Sequence, residues 1–341
     1  MDASRNDMVS IAKGVGILLM VIGHAGCPSW MFYFIYLFHM PLFFFLSGYC
    51  FKEKYLDDKK TFVWHRIKGL YLPFLKYNLL FIALHNLLFQ LNFYNQHYSW
   101  QDVFHKIAGV VTMSETEINL GPYWFLRYLL LSAIAFLMMH SVLRKHRTIL
   151  ITIILSLPVF AVIANSQLIP HFPTSVIFTS LFAYSVGYLW KERTIHPSLC
   201  IIIGLFAVVA MGSVYIHSVM LIMTTRDTIP YCLLAIVGTI ATMALSKLIA
   251  LSTQWVKKVF IYLGNHTMVI LTWHFLLFDF ISLFYLEVIL KRTYSTLETE
   301  GLHHQLGGLH FLVYTILGIT LPLFFQWLFR MENVKRIIYH R

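Results

Sequence analysis

The chain has 341 residues, of which 58% are hydrophobic and 12% charged, where a soluble domain carries about 25% charged residues. With a mean hydropathy of +0.70, this excludes an ordinary soluble protein and predicts a polytopic membrane protein. The net charge of +11 does not point to nucleic acid, because the basic residues sit in short loops between apolar stretches, the positive-inside pattern.

Ten apolar spans can be read along the chain, at roughly 8–27, 31–51, 69–92, 122–143, 148–165, 174–190, 199–223, 230–250, 259–286 and 309–329, each able to cross about 30 Å of hydrocarbon. The expectation is an all-α fold in one integral-membrane domain, residues 1–341, with no soluble domain and no internal repeat. Lys and Arg cluster in the loops on one side, at 52–68, 144–147, 191–193 and 257–258 and at both ends of the chain; this asymmetry predicts cytoplasmic termini. The N-terminus lacks the basic region of a cleaved signal.

The first span, Lys13 to His24, is apolar except at its ends. Eleven residues at about 100° each make three turns plus roughly 20°, so both side chains point the same way, about 16 Å apart along the axis. An ionisable group inside a membrane segment is costly and so a functional candidate; the alternative is a lysine that snorkels and a histidine in a buried polar contact. Gly14, Gly16 and Gly23 are positioned to let neighbouring helices approach. In the second span Pro41 predicts a bend inside the helix, Ser47-Gly48 predicts tight packing or the helix end, and His39 is a polar group facing the first helix or a satisfied interior histidine. The third span is the most polar, with Pro73, Lys76, Asn78, His85 and Asn86, and is expected to face the interior. In the outer loop 93–121, Tyr98 and Trp100 could stack on a sugar or anchor at the interface. His274 falls mid-membrane in the ninth span, which Asn265 and Thr267 open as a cap region. The four cysteines and the pair His303–His304 have no metal-type spacing, so no metal site is expected.

Five stretches carry a resemblance: Lys13 through His24; Phe38-His39-Met40-Pro41 through Ser47-Gly48-Tyr49; His65-Arg66 through Pro73; Tyr123-Trp124-Phe125-Leu126; and Phe260 through His274, with Gly264 and Thr267. In this order they resemble the membrane acyltransferase-3 family, most closely its fucose 4-O-acetylase-like branch, over nearly the whole chain. The resemblance implies about ten membrane helices, a prokaryotic inner membrane, and transfer of an acyl group, usually acetyl, from cytoplasmic acetyl-CoA to a sugar or lipid-linked glycan, with no tightly bound cofactor. The family's basic-residue and histidine motif maps onto Lys13 and His24, which implies His24 as the catalytic residue, and Arg66 matches a basic residue on the donor side. Many members carry an acidic residue three before the basic one; here that position is Ser10, and Asp7 one turn earlier is the substitute on that face.

The chemistry asks for the same groups. Acyl transfer to a hydroxyl needs a base, most often histidine, a stabiliser for the oxyanion, and cations for the CoA phosphates. His24 is the candidate base. Lys13, Arg66 and Lys68 are the candidate donor contacts. Ser10, Asp7, His39, Ser47, Trp124 and His274 are the candidate supporting residues. A transporter of a small solute, or a non-catalytic membrane scaffold, would also fit ten spans with intramembrane histidine and proline.

Overall fold

A computed structural model describes residues 3–167, 174–193, 198–289, 291 and 308–339, with side chains described between residues 6 and 329. His303–His304 lies outside the described residues. Among those described, every regular element is helical, as a bilayer requires: backbone in hydrocarbon must bond to itself, and a helix does this within one segment. Among the described residues eight helical segments are long and apolar enough to cross a membrane: Asn6–His24, Ser29–Tyr49, Lys59–Gln90, Ile118–Leu143, Arg147–Asn165, Thr228–Ala250, Thr267–Ile289 and His310–Phe329. The two other expected spans correspond to shorter apolar helices, Ser175–Trp190 and Leu199–Tyr215, which cover only about 24–26 Å along their axes.

Three spans differ locally from expectation. After α1 (Ala3–His24), the second span is two helices, α2 (Ser29–Tyr36) and α3 (His39–Tyr49). The break falls at Leu37–Phe38 and Pro41 lies in the first turn of α3, where the missing N–H costs nothing. His39 splints the break, its buried ring donating from Nδ1 to the Ile35 carbonyl at 2.9 Å. In the third span α4 (Lys59–Arg66) passes through a π-turn, Ile67–Tyr71, into α5 (Leu72–Gln90). The Leu72 N–H reaches back to Ile67, and this wide turn lies just before Pro73, whose ring would clash with a regular turn.

The stretch 93–121 contains a helix of its own, α6 (Trp100–Val111). Ser99 and Asp102 form a reciprocal capping box at its start. Trp100, Phe104 and Val111 are exposed along one face of it, the pattern of an amphipathic helix. The Ser99 bonds hold the Asp102 carboxyl below its ordinary range. A lowered folded-state value means that the cap is present above the ordinary carboxylate range and is lost as pH falls through the lowered one. Ser99→Ala is expected to speed amide exchange at residues 100–103 at neutral pH, with little change elsewhere; unchanged exchange there would remove the cap from the account.

The helices α7 (Trp124–Leu143), α8 (Arg147–Asn165), α9 (Ser175–Trp190), α10 (Leu199–Tyr215) and α11 (Thr228–Ala250) follow. The expected ninth span is again two helices, α12 (Gln254–Asn265) and α13 (Thr267–Phe284), and α14 (His310–Tyr339) ends the described chain. Asn265 therefore closes one helix instead of opening the next, and His266 is the N-cap, without a side-chain cap bond.

The chain forms two compact units. The first comprises Met1–Met20, Ser29–Phe74 and Trp124–Asn265. One close crossing is α3 on α9: a Cβ on Gly48 would lie 1.8 Å from the Tyr184 carbonyl oxygen, and one on Gly187 2.0 Å from that of Phe45. Backbone therefore rests on backbone, the packing that small residues permit in membranes. Gly14 makes the expected close approach to Phe260 of α12, whereas Gly16 faces the Phe43 ring. The second unit comprises Val21–Pro28, Leu75–Tyr123 and His266–Arg341. In it α13 packs on α14, with Phe278 against Gly318 and a 2.9 Å hydrogen bond between Ser282 and Tyr314.

Candidate active site

In the second unit His24 meets His274. His24 is the last residue of α1, which ends where Gly26 takes φ +76°, the left-handed conformation that stops helices. His274 is fully buried on α13. His24 Nδ1 lies 3.0 Å from His274 Nε2, and the rings are nearly parallel, with centroids 5.2 Å apart and planes at 12°. Phe275 stacks on the His24 ring at 4.8 Å and on the His274 ring at 4.4 Å.

The backbone sets the tautomers of this pair. His274 Nδ1 lies 3.0 and 3.1 Å from the carbonyl oxygens of Ile270 and Leu271. Carbonyls only accept, so Nδ1 carries the hydrogen and the neutral ring has its lone pair on Nε2. That lone pair accepts from His24 Nδ1–H, which leaves the His24 lone pair on Nε2. One histidine orients the other and fixes which nitrogen can take a proton, the role that an orienting partner plays for a catalytic base.

Around the pair the second unit is densely bonded. Thr272 donates to the Met268 carbonyl at 2.6 Å, so the Tyr123 hydroxyl, 2.6 Å away, donates to Thr272. Asn119 donates to Asp279 at 3.0 Å. Within the third span Asn78 and His85 are buried, as expected, and Lys76 is exposed. His85 donates from Nε2 to the Gln96 carbonyl at 3.0 Å and faces Glu117 with Nδ1 at 3.2 Å, so one proton is held between that nitrogen and the carboxylate. Tyr98, a candidate for sugar stacking, instead lies flat on His85 with centroids 3.3 Å apart. Burial, then the Glu117 carboxylate, raises its phenol well above the ordinary range. Asn86 pairs with both backbone groups of Tyr98, at 3.0 and 2.8 Å. Glu117 is one of several acids in the 93–121 loop, and only its position shortly before a span could have marked it.

The other candidates lie in the first unit. Asp7 pairs with Lys257 at 2.6 Å, and the Ser10 hydroxyl donates to Asn265 at 3.3 Å, so both turn to α12. Lys13 is half-buried and makes no ion pair among the described residues. It shares uninterrupted α1 with His24. Arg66 lies over the Phe62 ring at 4.9 Å and, with Ser47, interacts with the buried hydroxyl of Tyr184. Neither Ser47 Oγ nor the Tyr184 hydroxyl reaches full hydrogen-bond geometry. Tyr184 was hidden in an unbroken apolar span. Lys68 sits over Trp64 at 4.9 Å, and Trp124 stands edge-on to Tyr128. The candidates thus gather in two places: His24 with His274 in one unit, Arg66 with Ser47 in the other. Among the described residues no group of three or more His, Cys, Asp or Glu could hold a metal ion.

The sequence model of one family, described as an acyltransferase domain, matches residues 7–327. The chain belongs to the acyltransferase-3 family. It is a membrane acyltransferase in general terms, with His24 and His274 both inside the matched region. No curated protein and no solved structure matches this acyltransferase.

Proposed function

We propose that this acyltransferase moves acetyl, or another short acyl group, from cytoplasmic acyl-CoA to a hydroxyl of a cell-surface or lipid-linked carbohydrate, with His24 as general base. The supporting observation is the His24–His274 pair, whose wiring leaves the lone pair on His24 Nε2. The acceptor O–H gives its proton to that nitrogen as its oxygen attacks the thioester carbonyl carbon. The C–S bond then breaks, and His24 returns the proton to the departing thiolate. The products are an ester and free CoA. Lys13, Arg66 and Lys68 are the proposed contacts for the CoA phosphates, and Ser10, Asp7, His39, Ser47 and Trp124 the proposed supporting residues. The reading includes ten spans with cytoplasmic termini, placement in a prokaryotic inner membrane, and kinship with the fucose 4-O-acetylase-like branch.

The test is purified full-length protein in bilayer discs with labelled acetyl-CoA and a panel of carbohydrate acceptors. Free thiol and labelled ester should appear in equal amounts. Movement of a solute across vesicles without thioester cleavage would indicate a transporter, and neither outcome a scaffold.

His274 is proposed to act through His24. His274→Phe removes the acceptor that fixes the His24 tautomer and should lower kcat by about 10²-fold or more, with the KM for acetyl-CoA little changed; loss of the right tautomer in a catalytic triad costs more still. His274→Gln keeps an acceptor oxygen and should recover part of the rate. Equal loss in both variants, with a raised KM, would make His274 a packing residue only.

A further inference from the structure

The second unit holds a cavity of about 600 Å³ lined by α5, α13 and α14, a volume ordinary for a ligand site. Its walls are aromatic and aliphatic, with Trp273 and Phe280 from α13 and Phe325 from α14. Phe280 and Phe325 are 44% and 45% exposed, so the cavity is open to its surroundings. All three helices belong to segments long and apolar enough to cross a membrane, and what meets such an opening is lipid. Among the described residues the polar side chains in its wall are those of Lys76, Tyr77, Trp273 and Gln326, and none is a carboxylate.

Lys76 is the group that needs explaining. It is exposed, lies 5.1 Å from the Tyr77 ring centroid, and makes no ion pair among the described residues. A lysine in a membrane-spanning helix is costly unless it reaches the interface or meets an anion. Here it borders an apolar chamber with an uncharged amide as a second donor. A free inorganic anion would satisfy the cation but leave the aromatic walls empty. A neutral lipid would fill the walls but leave the cation without a counter-charge.

We propose that this cavity is a site for an anionic phospholipid of the surrounding bilayer. Its phosphate pairs with Lys76 and accepts from the Gln326 amide, while one acyl chain lies along Trp273, Phe280 and Phe325. Basic pockets between membrane helices hold acidic headgroups in this manner. Trp273 also packs on Phe81 with centroids 5.6 Å apart and directly precedes His274, so a bound lipid braces the part of α13 that carries the histidine pair. The site is independent of the acyl-transfer reading, and its test does not use activity.

The full-length protein in phosphatidylcholine discs is compared with discs in which part of the lipid is phosphatidylglycerol. Retained lipid is read by native mass spectrometry and the unfolding midpoint by a thermal scan. Phosphatidylglycerol is expected to be retained in preference to phosphatidylcholine and to raise the midpoint. Lys76→Gln should reduce the preference by about fivefold, as loss of roughly 1 kcal/mol of lysine–lipid attraction implies. Gln326→Glu, which sets a carboxylate in the same wall, should abolish it. Equal retention of the two lipids, an unaltered preference in Lys76→Gln, or equal stabilisation by inorganic phosphate alone would overturn the proposal. Displacement of phosphatidylglycerol by a polyprenyl phosphate at equal concentration would overturn it in favour of a substrate-anchor site.

Discussion

His24→Ala is expected to lower the rate of acetyl transfer by about 10²–10⁴-fold, the contribution of a positioned general base. The side chain is partly exposed at the end of a helix, and its truncation removes one ring from a stack that Phe275 and His274 keep between themselves. The folded protein should therefore survive, with an unchanged elution profile and a thermal midpoint close to that of the parent. His274 loses the donor to its Nε2 in this variant, and a water entering the vacated space can replace it. Thiol release from acetyl-CoA is the measurement. A variant that retains activity within tenfold of the parent would remove His24 from the mechanism and leave the family assignment standing.

A large loss of stability is expected from a substitution at the α3–α9 crossing. Gly48→Ala places a methyl group 1.8 Å from a carbonyl oxygen of the facing helix, far inside contact distance, and the obstacle is backbone that cannot rotate away. The two helices must separate, and Gly187 on the other side of the crossing separates with them. Overpacking of this kind costs about 3 kcal/mol or more, so the thermal midpoint in detergent should fall and expression with it. Gly204→Ala is the control: nothing lies within 4 Å of its added methyl, and removing a glycine from a helix interior should stabilise by up to about 1 kcal/mol. If both substitutions behave alike, the crossing is looser than the contact distances imply.

Regular periodicity was legible in the sequence and its interruptions were not. Lys13 and His24 could be placed on one helix because their spacing is nearly a whole number of turns. The apolar runs marked where helices lie, but hydropathy integrates over many residues and is blind to a break of two. Pro41 signalled an irregularity in the second span yet gave the wrong place for it, since proline is as comfortable in a first turn as it is disruptive in a middle one. The break after Asn265 left no such mark. The contact between His24 and His274 joins residues 250 apart, and no local rule reports which of several membrane histidines meet. Chemistry could nominate His274 but not the partner of its other nitrogen, which belongs to the backbone of its own helix. Tyr184 and Glu117 became visible only through what surrounds them, one as an aromatic among aromatics and the other as an acid in a loop.

The carbonyls behind His274 close one direction of travel. If the pair could relay hydrogen ions onward, the acceptor's proton would drain away through α13 and the departing sulfur would have to be supplied from elsewhere. Oxygen atoms of Ile270 and Leu271 offer no onward carrier, so the route is a cul-de-sac. A proton passed from His24 to His274 can only return to His24. In the proposed reaction this keeps the acceptor's proton on the histidine that returns it to the departing thiolate.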